Sequence, residues 1–363
     1  MRNSLLNITL ALVLVCLVGW LLVLGRALLL PFVTALIVWY LINALASGLR
    51  AIPLGPWRLP ALPALLIALV IIFAAAMFVF DLVAANLTQL ARDAPGYQAR
   101  LDQVFANLSE MAGLREPLQT RDMFPQTSLT QLVTQAASFI TTMAGSASLV
   151  FIYVLFLLIE QSTFNSKYAA LFETPERAEA AFAIRAEINR RVLHYFGIKT
   201  GVSLATGLLT TALLTLLGLP YAALFGFIAF LLNYIPTIGS LISVIFPSLL
   251  ALVFFETYGP FLVISIGLGL IQFLLGNLVE PRLMGASLNL SSLVILLSLA
   301  FWGAIWGVTG MVLCVPLTVV ILIICAQIPQ TRPVAILLSA DGNIGPPLQH
   351  GEASVGETKL VRP

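Results

Sequence analysis

Charge is the scarcest feature of this chain. Of 363 residues only 9% are Asp, Glu, Lys or Arg, where a soluble globular protein carries about 25%. The chain is 60% hydrophobic, with a mean hydropathy of +1.02. The net charge of +2 is spread out and forms no basic stripe, so nothing supports a nucleic-acid partner. Histidine is limited to His194 and His350. The three cysteines, Cys16, Cys314 and Cys325, all lie in apolar runs. They have neither metal-ligand spacing nor the pattern of a disulfide framework. No phosphate loop, HExxH or GxSxG occurs. No metal and no cofactor are therefore expected, and an ATPase carried on this chain is excluded by its motifs. An intramembrane protease would need Ser/His, paired Asp or a metal set within the spans. Asp81 is a lone aspartate at a span end, so an enzyme is not expected.

What the chain has is long apolar runs. They suit a polytopic all-α membrane protein of about eight transmembrane helices, since each run reaches the ~20 residues a bilayer needs and exceeds a barrel strand. Residues 5–25 read as an uncleaved first span, too long for a signal-peptide core and lacking a small-x-small site. Gly25-Arg26 reads as a tight turn, with 27–46 spanning back. Residues 47–60 hold Pro53, Gly55, Pro56 and Pro60 and read as a loop. A third span at 61–83 completes an N-terminal segment, 1–83. Residues 84–137 are polar, with apolar residues at helical spacing and Pro95-Gly96 expected to split them into two helices. A fourth span fills 138–160. Residues 161–198 form a second polar helical segment. Thr174-Pro175-Glu176 marks its helix start, with a capping hydroxyl, proline at N1 and an acid in the first turn. His194 sits where that helix enters the fifth span, as an interfacial polar group or a proton relay. The transport core is placed at 199–327 and a tail at 328–363. Counting Lys and Arg with the N-terminus inside gives 12 on the inner side and 6 on the outer, with all three lysines inside. The positive-inside rule then puts 84–137 outside, 161–198 in the cytoplasm and both termini in the cytoplasm of a bacterial inner membrane.

Two C-terminal stretches are too long for one straight span. Residues 222–255 would measure ~51 Å and 288–325 ~57 Å as helices, against a hydrocarbon core of ~30 Å. The first is interrupted at Asn233-Tyr234-Ile235-Pro236-Thr237-Ile238-Gly239-Ser240. The second is interrupted at Trp302-Gly303-Ala304-Ile305-Trp306-Gly307, with Gly310 beyond. Proline removes a donor, so Pro236 is expected to free the carbonyl of Leu232. Paired Gly/Pro-interrupted segments point to a site built from discontinuous helices; kinked packing helices are the alternative. Re-entrant hairpins and bent spans both remain open. Between them lies Gly276-Asn-Leu-Val-Glu-Pro-Arg-Leu-Met-Gly285, whose Glu280 and Arg282 are the only charges between Glu256 and Arg332. Pro281 requires the helix there to bend, stop or open at Asn277. Ionisable groups in such a place are functional candidates; a surface loop with snorkelling charges is the plain reading.

These strings, with Leu297-Ser-Leu-Ala-Phe-Trp-Gly303 and Gly310-Met-Val-Leu-Cys-Val-Pro-Leu-Thr318, resemble the autoinducer-2 exporter family. The likeness covers the chain to about residue 340. The family's Asn-x-x-Glu-Pro motif falls on Asn277, Glu280 and Pro281, and its Asn-x-x-Pro-x-x-Gly motif on Asn233, Pro236 and Gly239. The resemblance implies export of a small polar molecule, autoinducer-2 foremost. It also implies a homo-oligomer and, in some members, sodium or lithium/proton antiport. Asn233, Asn277, Glu280 and Arg282 are then the transport and coupling candidates, with Gln272 and Thr237 lining the solute path. Pro236, Gly239, Pro281, Gly285, Gly303 and Gly307 mark the helix breaks. The partners expected are the lipid bilayer, a small polar solute and a coupling proton or sodium. A non-transporting membrane assembly protein is the alternative of another class.

Overall fold

The computed structural model describes residues 2–51, 59–111, 129–172, 174–285 and 288–344. Pro53, Gly55, Pro56 and Arg58 of the first loop, the middle of the 84–137 segment and the tail from residue 345 lie outside the described residues. The described chain is helical, without a strand among the described residues. Five helices are long and apolar enough to cross a membrane, and four shorter apolar helices accompany them. The chain divides into two compact units, Met1–Leu158 with Thr200–Pro281, and Ile159–Lys199 with Arg282–Pro363.

In the first unit, α1 (Arg2–Leu24) runs to Gly25 and α2 (Arg26–Ala51) leaves it. The reversing turn expected at Gly25 is not there. Gly25 N–H donates to Leu21 O at 2.8 Å and Leu29 N–H donates to Gly25 O at 2.9 Å. That is the spacing of a helix that bends and goes on; Pro31, in the second turn of α2, does not stop it either. α2 also extends to Ala51, into the stretch read as a loop. Helix α3 (Ala61–Met111) is a single run of 51 residues. Pro95 does not split it, contrary to expectation. A proline costs one internal hydrogen bond, and a long helix with other support absorbs that as a local defect. The third span and the polar segment after it are thus one rod, ~76 Å long. Helices α2, α3 and α4 (Leu129–Glu160) meet through Ala35, Ile42 and Ala46, Ala64 and Ala68, and Val154. Small residues let helix backbones approach closely where lipid offers no hydrophobic drive.

After α5 (Phe164–Ala169) comes α6 (Pro175–Leu216), 42 residues that begin where the sequence placed the start. Arg177 N–H donates to Thr174 Oγ1 at 3.4 Å. Its far end is closed by Gly218 at φ 74°, with Leu219 N–H on Leu214 O at 2.9 Å and Gly218 N–H on Thr215 O at 3.1 Å. These paired bonds are the Schellman ending, which glycine's left-handed freedom permits.

Helices α7 (Ala222–Leu232) and α8 (Ile238–Phe254) form the first interrupted stretch. They fold back as a hairpin. Leu224 and Phe225 near the start of α7 share a core cluster with Leu250 and Ala251 near the end of α8. α7 has 11 residues, about 16 Å of helix, too short to cross a bilayer. The turn closes because Gly239 sits on the Leu232 carbonyl: a Cβ there would lie 1.7 Å from that oxygen. Contrary to expectation, Pro236 does not free that carbonyl. Ile235 N–H donates to it at 2.8 Å, a turn bond made before the proline's missing donor matters. α9 (Tyr258–Phe273) packs on α8 and passes into a π-helical turn, Leu274–Val279, then α10 (Glu280–Met284). The opening expected at Pro281 takes this form, a widened turn just ahead of it. Gly285 ends the run at φ 52°.

In the second unit, α11 (Ser292–Gln327) is interrupted at Gly307, φ 60°, ψ −141°. It too is a hairpin. Ser298 Oγ donates to Cys314 O at 2.9 Å and lies 2.5 Å from Thr318 Oγ1. A straight helix would hold residues sixteen apart about 24 Å from each other. Its tip repeats the closure of the first: a Cβ at Gly310 would lie 1.9 Å from Trp302 O. Residues 328–344 are not a loose tail. α12 (Arg332–Leu338) docks on α11, with Arg332 Nη1 on Ala326 O at 3.1 Å and Ser291 N–H on Leu338 O at 3.1 Å.

Candidate functional site

Polar groups collect on one face of α6. Ser203, Thr206 and Thr210 are buried to within 1% of full burial, and Lys199, one turn earlier on the same helix, is buried as well. The spacing of four, three and four keeps these residues on one helical face. The opposite positions Leu204, Leu208 and Leu216 are exposed. The helix is polar inside and apolar outside, the inverse of a helix in water. Polar side chains in a membrane helix face protein or a cavity because lipid offers them nothing. Sequence reasoning missed this stripe, although its spacing was readable once the apolar face was taken as the outer one.

The tip of the first hairpin meets that stripe. Asn233, 4% exposed, donates from Nδ2 to Ser203 Oγ at 3.0 Å. Beside it Tyr234 Oη lies 2.7 Å from Thr200 Oγ1. Gln272 on α9 is 8% exposed and donates from Nε2 to Ser243 Oγ at 2.6 Å. Ser243 passes the chain on to Ser240 O at 2.9 Å. Gln272 Oε1 has no hydrogen-bond partner among the described residues, nor do the buried Ser248 and Ser265 hydroxyls of the same helix pair. An unsatisfied buried polar atom costs about 1–3 kcal/mol. Three of them along one helix pair are worth an explanation.

The expected site residues separate by burial. Asn233 and Gln272 are buried; Gly239 and Pro236 build the tip that carries Asn233. Thr237 is exposed at that tip with φ 63°. Glu280 is half-buried at the start of α10, and Asn277 and Arg282 are exposed. Glu280 lies eight residues beyond Gln272, about 12 Å along the axis. In the second unit Gly307 forms the break and Gly303 packs on the Met311 side chain. There Ser298 and Thr318 turn their hydroxyls to each other and to Cys314 O.

Among the described residues no cluster of His, Cys, Asp or Glu could hold a metal ion. The chemistry on offer from Asn233, Gln272 and their partners is hydrogen bonding by amides, hydroxyls and backbone carbonyls.

The sequence pattern of the AI-2E family transporters matches residues 8–330. AI-2 transport protein TqsA of Escherichia coli K12 is 34% identical over 85% of this chain and 88% of its own length. A Haemophilus influenzae relative is 29% identical over 85% of this chain and 89% of its own. YhhT of Escherichia coli K12 is 31% identical over 76% and 79%. The chain belongs to the AI-2E transporter family, and is a multi-pass inner-membrane transport protein rather than an enzyme.

Proposed function

We propose that this protein is a secondary transporter that exports a small polyhydroxylated molecule, autoinducer-2 first among the candidates. The reading rests on one observation above the rest: Gln272 Oε1 is buried without a partner, in line with Ser243 and near the hairpin that carries Asn233. An acceptor held dry and unpaired favours any ligand that brings a hydroxyl donor. A compact sugar-like ring brings several and has little apolar body to bury. The name of the Escherichia coli relative supports the substrate.

Glu280 is the coupling residue in this reading, protonated in one state and ionised in the other. Asn277 and Arg282 accompany it at the π-turn, and a proton or sodium is the coupling ion. The lysine and arginine distribution favours both termini on the cytoplasmic side, and the family likeness favours a homo-oligomer. A sodium or lithium/proton antiporter is the second reading; it puts the cation itself at Glu280. Flux of labelled autoinducer-2 and sodium-driven pH change, measured in the same vesicles, distinguish the two. The exporter moves label without added sodium flux. Glu280→Gln is expected to abolish gradient-driven flux at unchanged protein level; wild-type flux in that variant removes Glu280 from the mechanism.

A further inference from the structure

The polar end of α3 has no part in the reading above, yet it touches both feet of the first hairpin. At the entering foot Tyr221 precedes α7 with φ 61°. A bulky residue holds that left-handed conformation only where its surroundings fix it. Here Tyr221 is 8% exposed, and its hydroxyl donates to Asp93 Oδ2. Tyr97, one turn further along α3, packs against the core cluster that holds Tyr221. At the leaving foot Arg100 Nη1 reaches Val253 O at 3.4 Å and Phe254 O at 3.5 Å. These are the last carbonyls of α8, where a cation meets the negative end of the helix dipole. Asp93, Tyr97 and Arg100 follow at intervals of four and three, so one face of one rigid helix grips both ends. Apolar contact continues below them, with Val83 and Leu87 in the core cluster that holds Leu224 and Leu250.

We propose that α3 is a strut that sets the pose of the hairpin tip, with Asp93 and Arg100 as positioning residues acting through Tyr221 and the end of α8. The tip lies about 16 Å from Tyr221 along α7, so neither residue touches solute. The strut holds the feet; the stiff α7 carries that constraint to Asn233. The idea is independent of which solute is carried, and its test needs none.

The experiment introduces Thr237→Cys at the exposed tip and follows N-ethylmaleimide labelling in native membranes, read peptide by peptide by mass spectrometry. A second cysteine, Ser162→Cys on the exposed turn between α4 and α5, serves as the internal reference. Tyr221→Phe, Asp93→Ala and Arg100→Gln, each added to Thr237→Cys, are expected to change the labelling rate at position 237 about tenfold or more, the weight of one lost charge-assisted bond. The rate at position 162 stays constant. Asp93→Asn keeps an acceptor for the Tyr221 hydroxyl and restores the parent rate. Should Tyr221→Phe fail to accumulate, Asp93→Ala and Arg100→Gln make the same comparison. Parent rates at position 237 in the accumulating variants overturn the strut, and so does an equal change at position 162, which reports general loosening.

Discussion

The two hairpins close alike and are furnished differently. In each, a carbonyl near the end of the first arm rests on a glycine seven or eight residues on, Leu232 on Gly239 and Trp302 on Gly310. In each a residue with positive φ turns the chain, Thr237 in one and Gly307 in the other. Beyond the tips they part. In the second, Ser298 and Thr318 share the Cys314 carbonyl and one another. The first reaches outward, from Asn233 to Ser203 and from Tyr234 to Thr200, and its neighbour Gln272 keeps an unpaired acceptor. A polar group with all its bonds inside one element stabilises that element. A polar group whose bonds lie on other helices, or are unmade, is available for exchange. On that ground the proposed solute path is assigned to the first hairpin, with the second as its scaffold.

The largest effect is expected at the tips, where the hairpins agree. Gly239→Ala and Gly310→Ala each force a methyl against a backbone oxygen that cannot move far. Both should lose about 3 kcal/mol or more, seen as loss of monodisperse protein or a lower unfolding temperature. A mild effect at only one tip breaks the likeness between them. The second prediction divides the pair. Asn233→Leu should abolish solute flux while costing about 1 kcal/mol of stability; Ser298→Ala should cost a similar ~1 kcal/mol and leave the flux KM unchanged. Reversed phenotypes, read by transport and thermal unfolding on the same samples, would assign the working role to the other hairpin.

Gln272→Met sharpens the contrast further. It removes an unpartnered oxygen and one bond to Ser243, so stability should hold within about 1 kcal/mol while flux falls tenfold or more. The smallest effect lies outside the hairpins. Burial raises the Glu187 titration, but hydrogen bonds from Arg191 and Arg190 outweigh it and the net shift is downward. A depressed carboxylate contributes stability above its unfolded pKa and loses it as pH falls through the folded one. Glu187→Gln should therefore narrow the gap in stability between neutral pH and pH values below the usual glutamate range, measured by thermal unfolding, without altering solute KM.

Much of this was legible in the residues, and the reasons differ by element. The breaks at Asn233–Ser240 and Gly307 stood out because proline and glycine act through local backbone geometry. That they reverse the chain was not legible. It depends on Gly239 and Gly310 meeting carbonyls far enough back to require a fold. Pro95 shows the converse: a local breaker overruled by the helix around it. Gly25 shows it again, since glycine permits a turn without compelling one. Glu280 was conspicuous as a rare charge, whereas the α6 stripe was missed because serine and threonine are commonplace singly and matter by phase. The grip of Asp93 and Arg100 on the hairpin joins residues 128 and 153 positions apart, a distance that no spacing within one helix can reveal.

The claim on which the rest depends is that the first hairpin's buried polar seam carries the solute. Its most direct test is labelled autoinducer-2 flux in proteoliposomes, with proton and sodium gradients imposed separately, for the parent protein, Asn233→Leu, Gln272→Met and Ser298→Ala. The account predicts gradient-driven flux in the parent and Ser298→Ala, and none above leak in the other two. Full flux in Asn233→Leu and Gln272→Met, with protein present and folded, contradicts it.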